Sequence, residues 1–539
     1  MEFSMFCSRI SFLILIIVLS SPPKFNQSPM DFGPLNLLQA TNTSSLDFGR
    51  IYFNSPSAVV RPKSPKEISL LLSSLSGSSF SKVTVAARGA GHSINGQAQA
   101  LNGIVVEMDS LPSSIKIRKR VDGESSPSYV DVSGGTLWVD LLKETLKEGL
   151  APRSWTDYLY LTIGGTLSNA GISGQTFKYG PQISNVLQLD VVTGRGDIVT
   201  CSPTISSELF YGVLGGLGQF GIITSARILL QEAPRKVKWV RAYYDDFDIF
   251  TKDQELLIGM GNMVDYLEGF IVLNKESLHG GSISFPFPAN LASIPQFQSE
   301  PSKVYYCIEF AVYDQADKNT NLDQVVEEIS SKMSFMPSLL YSVEVSYFDF
   351  LQRVRMEEIS LRELGLWDVS HPWLNMFVPK SGIAQFRDLL LENISPSTFM
   401  GPILIYPISR DKWNLNMSAV LPESISGENI IYIVGILRSA NPTSCSQECL
   451  QGYLRQNLNI TNIATDPKGG IGAKQYLSHH RKEEQWREHF GGKWQQFLGR
   501  KKAFDPLNIL APGQGIFKRR YSMNPTTTTT TTLTLSSSQ

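Results

Sequence analysis

The sequence has few cysteines, almost no excess of either charge, and no apolar run of the length that a membrane-spanning helix needs. Five Cys in 539 residues are too few to act as a disulfide scaffold for a chain of this size. Lys and Arg number 48 against 49 Asp and Glu, which gives a formal charge of -1. A chain with this balance has no general attraction to phosphate backbones or anionic lipid. We therefore expect no nucleic-acid partner and no membrane partner.

Metal-binding signatures are also missing. No Cys-x-x-Cys pair and no His-Glu-x-x-His occurs, and His479 and His480 lie in a charged, helix-like run. We predict no metal. Cys445 and Cys449 lie four residues apart in a predicted helix from Cys445 to Leu458, where both would share a face. A disulfide and two free thiols are both compatible with that spacing, and free thiols are our expectation.

The N-terminus has the composition of a secretory signal. Arg9 precedes an apolar run from Ile10 to Leu19, and small residues and Pro22 follow. The run is about half of the roughly 20 residues that span a bilayer, so we predict a signal peptide over residues 1–21, with an uncleaved anchor as the alternative. Glycosylation sequons begin at Asn26, Asn42, Asn393, Asn416 and Asn459.

The body of the chain predicts an α+β fold in two parts. From Asp47 to about Leu230, short β-rich runs alternate with Gly-rich turns and with predicted helices over Leu137 to Glu148 and Ser206 to Leu214. Beyond residues 231–234 glycines thin out, and amphipathic stretches such as Leu322 to Lys332 and Ser381 to Asn393 predict a second lobe. Turn residues return near Pro512, where the chain is expected to rejoin the first lobe.

One glycine motif does not carry the function that its spacing suggests. Gly216 to Gly221 satisfies G-x-G-x-x-G, but a dinucleotide fingerprint needs a strand before it and a helix after it. Here a helix-like run precedes the motif and a strand-like run follows. The order of elements therefore indicates against a Rossmann site.

A different glycine-rich stretch, Arg88 to Gln97, follows the predicted strand Val83 to Ala87 and contains His92. Glycines in such a turn let backbone N–H groups converge on an anion such as a pyrophosphate. A lone histidine is usually structural, whereas an imidazole in a binding loop also serves as a nucleophile. Local chemistry leaves both roles open for His92.

A carboxylate among aromatic residues marks a second candidate site. Asp157 lies between Trp155 and Tyr158, just before the glycine loop from Thr162 to Ile172. Aromatic walls beside a carboxylate are typical of a site where a base faces a planar substrate. The alternative is that Asp157 only caps a turn.

Taken together, these segments resemble a known family. From Asp47 to Tyr521 the chain is similar to the plant cytokinin dehydrogenases, also called cytokinin oxidases, among the vanillyl-alcohol-oxidase-like flavoproteins. The motifs that carry the resemblance are Gly91-His92-Ser93, Trp155-Thr156-Asp157-Tyr158-Leu159, the glycine loop from Gly164 to Gln175, His371-Pro372-Trp373-Leu374-Asn375, and Pro512-Gly513-Gln514.

The resemblance implies a two-lobe α+β fold, in which an FAD-binding domain of the PCMH type is interrupted by an inserted α+β substrate-binding or cap domain. The expected boundaries are residues 47–233 for the first part of the FAD-binding domain, 234–474 for the substrate-binding domain, 475–522 for the C-terminal part of the FAD-binding domain, and 523–539 for a disordered Thr/Ser tail.

The resemblance also implies FAD bound covalently through His92. No Cys occurs between Arg153 and Thr200, where relatives with a second covalent flavin bond have one, so a single histidyl link is expected. The other cofactor contacts carried over by motif are Gly89, Gly91, Ser93, Gln97, Asp157, Thr162, Ser168, Ile172, Ile222, Tyr476, Ala511 and Gln514.

The implied activity is oxidative cleavage of the N6 side chain of cytokinins (isopentenyladenine, zeatin and their ribosides) to adenine and an aldehyde. Asp157 would be the catalytic, substrate-binding carboxylate, which accepts a proton from the substituted amine while hydride leaves the adjacent carbon for the flavin. Asp368 is expected to meet the purine at the pocket mouth, although the family often has the longer Glu there. A quinone-type acceptor or oxygen would reoxidise the flavin.

Two other functions remain compatible with the scaffold. A related FAD-linked sugar or alcohol oxidase would differ in the Trp155–Leu159 and His371–Asn375 segments, and a non-catalytic secreted purine-binding flavoprotein would be free to lose His92 and Asp157. We expect a monomer in the secretory pathway, with the extracellular apoplast as destination and the vacuole or endoplasmic reticulum as alternatives.

Overall fold

The computed structural model describes residues 35–77, 82–120, 126–274, 284–286, 303–314, 321–396, 399, 401–423 and 427–519. The predicted signal peptide, the sequon at Asn26 and the predicted tail over 523–539 lie outside these residues. Of an N-terminal unit, Met1–Asn36, only residues 35 and 36 are described, and every element below belongs to the unit Leu37–Gln539.

A small mixed sheet comes first in the chain. It carries the glycine-rich stretch Arg88 to Gln97, called the first glycine loop below, whereas the stretch Thr162 to Ile172 is the second glycine loop. Its strands are β1 (Leu37–Leu38), β2 (Ala58–Val60), β3 (Val85–Arg88) and β4 (Ile104–Glu107), in the order β1-β2-β4-β3, with helices α1 (Asn42–Ser45) and α2 (Pro65–Gly77). Strands β2 and β3 both pair parallel with β4. Because parallel neighbours need a crossover, α2 fills the connection between β2 and β3. The loop that contains His92 begins directly after β3.

The second sheet is antiparallel and lies between residues 115 and 232. Its strands are β5 (Ile115–Arg118), β6 (Tyr129–Ser133), β7 (Leu150–Pro152), β8 (Val186–Thr193), β9 (Ile198–Cys201) and β10 (Gly221–Glu232), ordered β5-β6-β10-β8-β9, with β7 also on β10. Its helices are α3 (Trp138–Lys147), α4 (Ile163–Leu167), α5 (Thr176–Tyr179) and α6 (Ser207–Val213). The helices predicted over 137–148 and 206–214 are thus confirmed. So is the element order around Gly216–Gly221, since α6 precedes it and β10 follows.

The third and largest sheet has eight strands, all antiparallel neighbours. They are β11 (Lys236–Tyr244), β12 (Tyr266–Val272), β13 (Tyr305–Tyr313), β14 (Leu340–Ser346), β15 (Leu374–Pro379), β16 (Ile403–Ser409), β17 (Ile430–Ile436) and β18 (Lys474–Tyr476), ordered β14-β11-β13-β12-β16-β17-β15-β18. The associated helices are α7 (Phe247–Gly259), α8 (Leu322–Ser330), α9 (Tyr347–Leu351), α10 (Arg353–Glu363), α11 (Ile383–Asn393) and α12 (Gln447–Thr465). The predicted domain boundary between residues 474 and 475 falls inside β18.

Side chains that point alternately to the two sides of the sheet give it one buried apolar face and one face that carries polar groups. Leu267 and Ile271 of β12 belong to a core formed with Phe250 of α7 and Phe386 of α11. Because side chains in a strand point alternately to the two faces, Glu268 lies on the opposite face. In the register, Glu309 of β13 pairs with Glu268 on one side and with Arg241 of β11 on the other, so the three share that face.

The C-terminal segment packs on the first sheet. After α13 (Glu483–Phe490) and α14 (Trp494–Phe504), the chain forms a parallel bridge with β3, in which Val85 N donates to Ile509 O at 2.8 Å and Ala511 N donates to Val85 O at 2.9 Å. Buried Asp505 accepts from Lys501 Nζ at 2.8 Å and caps the following backbone N–H groups. The segment around Ala511 is therefore fixed beside the first glycine loop.

The expectation of two free thiols at Cys445 and Cys449 is wrong, since they form a disulfide. The helix α12 begins only at Gln447, with Ser446 as its N-cap. Cys445 therefore lies in the preceding turn, where helical spacing does not apply, and the Cα atoms approach to 5.2 Å, within bridging distance. Cys201 and Cys307 are free and buried.

Across the described residues, no helix combines the length and apolar character needed to cross a membrane.

Candidate active site

A cavity of about 970 Å³ lies between the three sheets, at the upper end of the volumes usual for small-molecule sites. One face of the eight-stranded sheet, the two glycine loops, the start of β10, the C-terminal segment and α10 all contribute lining residues. The predicted cofactor contacts that line it are Gly89, Gly91, His92, Ser93, Gln97, Asp157, Thr162, Ser168, Ile172, Ile222, Tyr476, Ala511 and Gln514. The structure thus brings every one of them to a single cavity.

The two glycine loops meet at a point that only glycine fits. A Cβ on Gly89 would lie 2.0 Å from Thr162 Oγ1 of the second loop. The buried carboxylate of Asp47 holds the first loop by accepting hydrogen bonds from Ser93 Oγ at 2.8 Å and from Gly96 N at 2.6 Å. The hydroxyl of Ser93 is therefore used to shape the loop.

His92 lies in a stack of three rings. Phe48 stacks on His92 with centroids 3.9 Å apart and on His371 with centroids 4.2 Å apart. The His92 Nε2 atom is buried, and no hydrogen-bond partner reaches it in the described part of the chain. Burial first, and then the neighbouring His371, lowers the pKa of His92 to about 4. His92 is consequently a neutral imidazole at physiological pH.

The His-Pro-Trp motif supplies the other end of this stack. His371 is buried, and its backbone N–H donates to Gly49 O at 2.9 Å. Its Nε2 lies 2.8 Å from Trp367 O, and since a carbonyl only accepts, Nε2 carries the hydrogen. Ser439 Oγ lies 3.2 Å from Nδ1 and donates to it. The orientation of the ring behind Phe48 is thereby fixed.

Asp157 is half-buried, and one of its carboxylate oxygens accepts several hydrogen bonds. Its Oδ1 accepts from Ser173 Oγ at 2.6 Å, from Arg353 Nη2 at 3.1 Å and, at 3.5 Å, from the hydroxyl of Tyr266. Arg353 also contacts the hydroxyl of Tyr266 directly. The carboxylate is therefore an ordered, charged group in the cavity wall and not merely the cap of a turn.

A group of buried charges surrounds Asp157 on the sheet side. Arg353 Nη2 lies 3.5 Å from Glu268 Oε2 and its Nε 3.7 Å from Glu309 Oε1, while Arg241 pairs with Glu309 at 2.6 Å. Burial, and then the Asp157 carboxylate, to which it is hydrogen-bonded, raises the pKa of Glu268 well above its usual range. Burial also raises the pKa of nearby Glu357. The guanidiniums of Arg241 and Arg353 thus lie among the carboxyl groups of Asp157, Glu268 and Glu309.

Sequence reasoning missed Arg353, Glu268, Glu309 and Phe48. A signal was present for two of them, because Glu268 and Glu309 are lone charges inside otherwise apolar strands, β12 and β13. A charge in a fully buried strand calls for a partner or a function. For Phe48 and Arg353 the sequence carries no comparable signal.

The structure does not bring Asp368 into the cavity wall. Its carboxylate is 56% exposed and pairs with Arg50 at 2.8 Å and with Arg362. The adjacent Trp367 lines the cavity instead. The predicted contact between Asp368 and the purine would require the carboxylate to leave both guanidiniums.

Comparison with known proteins first defines the class. Residues 56–202 match a family model described as an FAD-binding domain. The fold is similar to a VAO-type flavoprotein from Myceliophthora thermophila C1, with a TM-score of 0.63 and 16% identity over 86% of this chain and 80% of that one. It is equally similar to a chitooligosaccharide oxidase, with a TM-score of 0.63 and 14% identity over 90% and 97% of the two chains. The chain therefore contains an FAD-binding domain and has the fold of the VAO-type flavoproteins.

Residues 234–517 match the model "Cytokinin dehydrogenase 1, FAD and cytokinin binding". The chain is also 66% identical to cytokinin dehydrogenase 3 of Oryza sativa subsp. japonica, over 96% of this chain and 98% of the relative. It belongs to the cytokinin dehydrogenase family.

The cavity has features that fit FAD. Several residues of its wall carry buried polar atoms without partners in the described structure, among them His92 Nε2 and Gln514 Oε1, as expected of groups that face a bound molecule. The glycine loop around Gly91, with φ of 67°, exposes backbone toward the cavity without intervening side chains.

Proposed function

We propose that this enzyme removes the N6 side chain of isopentenyladenine, zeatin and their ribosides, giving adenine and an aldehyde after hydrolysis of the imine. The observation that carries the proposal is the ordered carboxylate of Asp157 in the wall of the same cavity as His92 and the glycine loops. When bound, FAD supplies the two-electron acceptor that cleavage of a C–N bond by oxidation requires and that no side chain provides.

Asp157 accepts the proton from the N6 amine of the substrate. Positive charge builds on that nitrogen as the adjacent carbon loses hydride, and a positioned carboxylate relieves it. Ser173 and Arg353 hold Oδ1 of Asp157 in place, so the base does not have to be ordered again in each turnover.

Glu268 supports this role as a neutral acid. Burial and the neighbouring Asp157 raise the pKa of Glu268, which favours the protonated form that donates a hydrogen bond to Asp157. Arg353, which contacts both carboxyl groups, balances the charge that remains. The pair therefore presents one negative charge to the substrate and not two.

His92 is proposed as the covalent attachment site of FAD. A neutral imidazole has a free lone pair and is the nucleophilic form, and burial holds His92 in that form. The stack with Phe48 and His371 fixes the plane of the ring. Covalent attachment would prevent loss of the cofactor.

Anaerobic reduction tests this function directly. The purified yellow protein is mixed with isopentenyladenine in the absence of oxygen, and the visible absorbance of the oxidised flavin is followed together with adenine release. Bleaching with one adenine per flavin supports the proposal. A flavin that stays oxidised with isopentenyladenine and with zeatin would overturn it and direct the search to other amines and alcohols.

Other parts of the assignment are also proposals. We propose entry into the secretory pathway and export to the apoplast, supported by the composition of residues 1–21 and by the exposure of Asn42, Asn416 and Asn459 in their sequons. We propose the domain division stated above, a monomer, and reoxidation by a quinone or by oxygen. Glycopeptide mass spectrometry of the exported protein tests the first of these.

A further inference from the structure

Helix α10 contacts three residues of the segment that contains the proposed base. Arg353 Nη2 lies 3.1 Å from Asp157 Oδ1, and Glu358 Oε2 accepts from the hydroxyl of Tyr158 at 2.5 Å. The guanidinium of Arg355 lies 4.5 Å from the centre of the Tyr160 ring. A single helix of the larger sheet region thus holds Asp157, Tyr158 and Tyr160.

The segment from Trp155 to Leu159 has no regular secondary structure to fix these side chains. Inside it, Thr156 Oγ1 donates to Tyr158 O at 3.0 Å, which shapes the turn but leaves the direction of the Tyr158 ring open. At the start of the segment, Trp155 is anchored by a bond of 3.0 Å to the hydroxyl of Tyr347. The hydrogen bond from the Tyr158 hydroxyl to Glu358 of α10 therefore helps to fix where the ring of Tyr158 points.

Glu358 is unusually well held for a surface-helix carboxylate. Its side chain is 2% exposed and accepts from Arg355 at 2.5 Å and from Arg362 at 2.8 Å as well as from Tyr158. Burial works to raise the pKa of Glu358, but the hydrogen bonds from Tyr158, Arg362 and Arg355 outweigh it and lower the pKa. Glu358 is a fixed anion that always accepts the tyrosine hydrogen.

Tyr158 in turn lies among the groups that form the site. Its ring centre is 5.0 Å from that of His92 and 5.6 Å from that of Trp367, and all three residues line the cavity. Burial and the contact with Glu358 raise the pKa of Tyr158 far above its usual value, so the phenol stays neutral. Because its hydrogen is committed to Glu358, Tyr158 acts in the site through its ring.

We propose that Glu358 is a positioning residue that acts through Tyr158, setting the aromatic ring that lies beside His92 in the cavity wall. Together with Arg353, it makes α10 the element that aligns the consecutive residues Asp157 and Tyr158 for turnover. The effect on turnover rests on the proposed function, whereas the effect on the surroundings of the bound flavin does not.

A purely structural role makes a different prediction. Glu358 also pairs with Arg355 and Arg362 along its own helix, at spacings of three and four residues. If that were its whole contribution, its loss would lower the thermal midpoint and leave the flavin environment and the kinetics of the folded fraction unchanged.

The experiment uses the full-length holoenzyme as Glu358→Ala, Glu358→Gln, Tyr158→Phe and the double variant Glu358→Ala/Tyr158→Phe. Glu363→Ala is the matched control, since it removes an exposed carboxylate from the same helix. Two quantities are measured on protein of equal flavin content. One is the visible circular dichroism of the oxidised flavin without substrate, and the other is the rate constant of anaerobic bleaching at saturating isopentenyladenine.

We expect Glu358→Ala and Tyr158→Phe each to slow bleaching by roughly 3- to 30-fold and to change the flavin circular dichroism in the same way. The double variant should be no slower than the slower single variant, because each substitution removes the same interaction, the hydrogen bond between Tyr158 and Glu358. Glu358→Gln keeps an acceptor for the hydroxyl and should recover part of the loss, and Glu363→Ala should match the unaltered enzyme.

The proposal would be overturned if the rate losses of the two single variants multiplied in the double variant. It would also be overturned if Glu358→Ala changed only the thermal midpoint. If Glu358→Ala does not fold, Tyr158→Phe and Glu358→Gln still decide it, since unchanged circular dichroism and kinetics in both would count against it. If the unaltered protein fails to bleach, the proposed function fails, and the circular dichroism comparison alone still accepts or rejects the positioning role.

Discussion

Glu268 and Glu309 lie directly opposite each other on β12 and β13 and on the face of the sheet that forms the cavity floor. Like charges in this position oppose sheet formation. Arg241 pairs with Glu309 at 2.6 Å, whereas burial and Asp157 raise the pKa of Glu268, which favours its protonated form. The two glutamates therefore have different surroundings.

This difference predicts outcomes of different size for the same substitution at the two positions. Glutamine closely resembles a protonated glutamate, so Glu268→Gln should change the free energy of unfolding by less than about 1 kcal/mol. Glu309→Gln removes the carboxylate that pairs with buried Arg241 at 2.6 Å and should cost about 3 kcal/mol. Urea unfolding at pH 7 measures both free energies, and equal destabilisation by the two variants would show that Glu268 is not protonated.

Much of this site is predictable from sequence because its parts are local. Glycine loops, a histidine within one of them and a carboxylate flanked by aromatic residues are readable as short motifs, and the cofactor contacts predicted from them do line one cavity. Arg353 was not predictable, because it meets Asp157 only through a contact across 196 positions. The pairing of Asp368 with Arg50 was missed for the same reason, since Arg50 lies 318 positions away.

The fold as a whole also has features that local sequence predicts and features that depend on contacts between distant residues. The helix over 137–148 follows from a local amphipathic pattern and is found at Trp138–Lys147. The order β14-β11-β13-β12-β16-β17-β15-β18 depends on pairings between distant strands. The central strands β12, β13, β16 and β17 are mostly apolar, so their sequences do not distinguish one neighbour from another. The disulfide was missed because the start of α12 two residues later than expected changes the spacing between its cysteines.

Replacing Asp157 by Asn tests the proposed base. The amide keeps the size of the side chain and an oxygen for Ser173 and Arg353, but it does not accept a proton. We expect unchanged flavin content and a rate of anaerobic bleaching lower by roughly 10²- to 10⁴-fold. Ser173→Ala, which removes a donor to Oδ1 but keeps the carboxylate, should lose much less. A fully active Asp157→Asn protein would make Asp157 structural.

The covalent link is tested by His92→Ala. After denaturation in acid and precipitation, flavin absorbance should stay with the unaltered chain and move to the supernatant with the variant. His371→Ala is the informative comparison, because it removes the far ring of the stack but leaves the nucleophile in place. Covalent flavin retained in His92→Ala would identify a different attachment residue.

The buried histidines predict a loss of stability in mild acid. Burial lowers the pKa of His371 to about 4, against roughly 6.5 in the unfolded chain. Between these values the unfolded chain binds the proton and the folded chain does not, so the contribution of His371 to stability is complete above about pH 6.5 and falls as the pH drops toward 4. At pH 5 the loss relative to pH 7 is about 2 kcal/mol for this one group.

The measurement is the free energy of unfolding in urea at pH 7, 6 and 5 for the unaltered protein and for His371→Asn. Raised pKa values at buried carboxyl groups such as Glu268 oppose the trend in both proteins, so the difference between the two slopes isolates the histidine. The variant should lose less stability than the parent between pH 7 and pH 5, by about 2 kcal/mol. Parallel curves would mean that His371 takes up its proton in the folded state, and that the ring facing Phe48 is a cation.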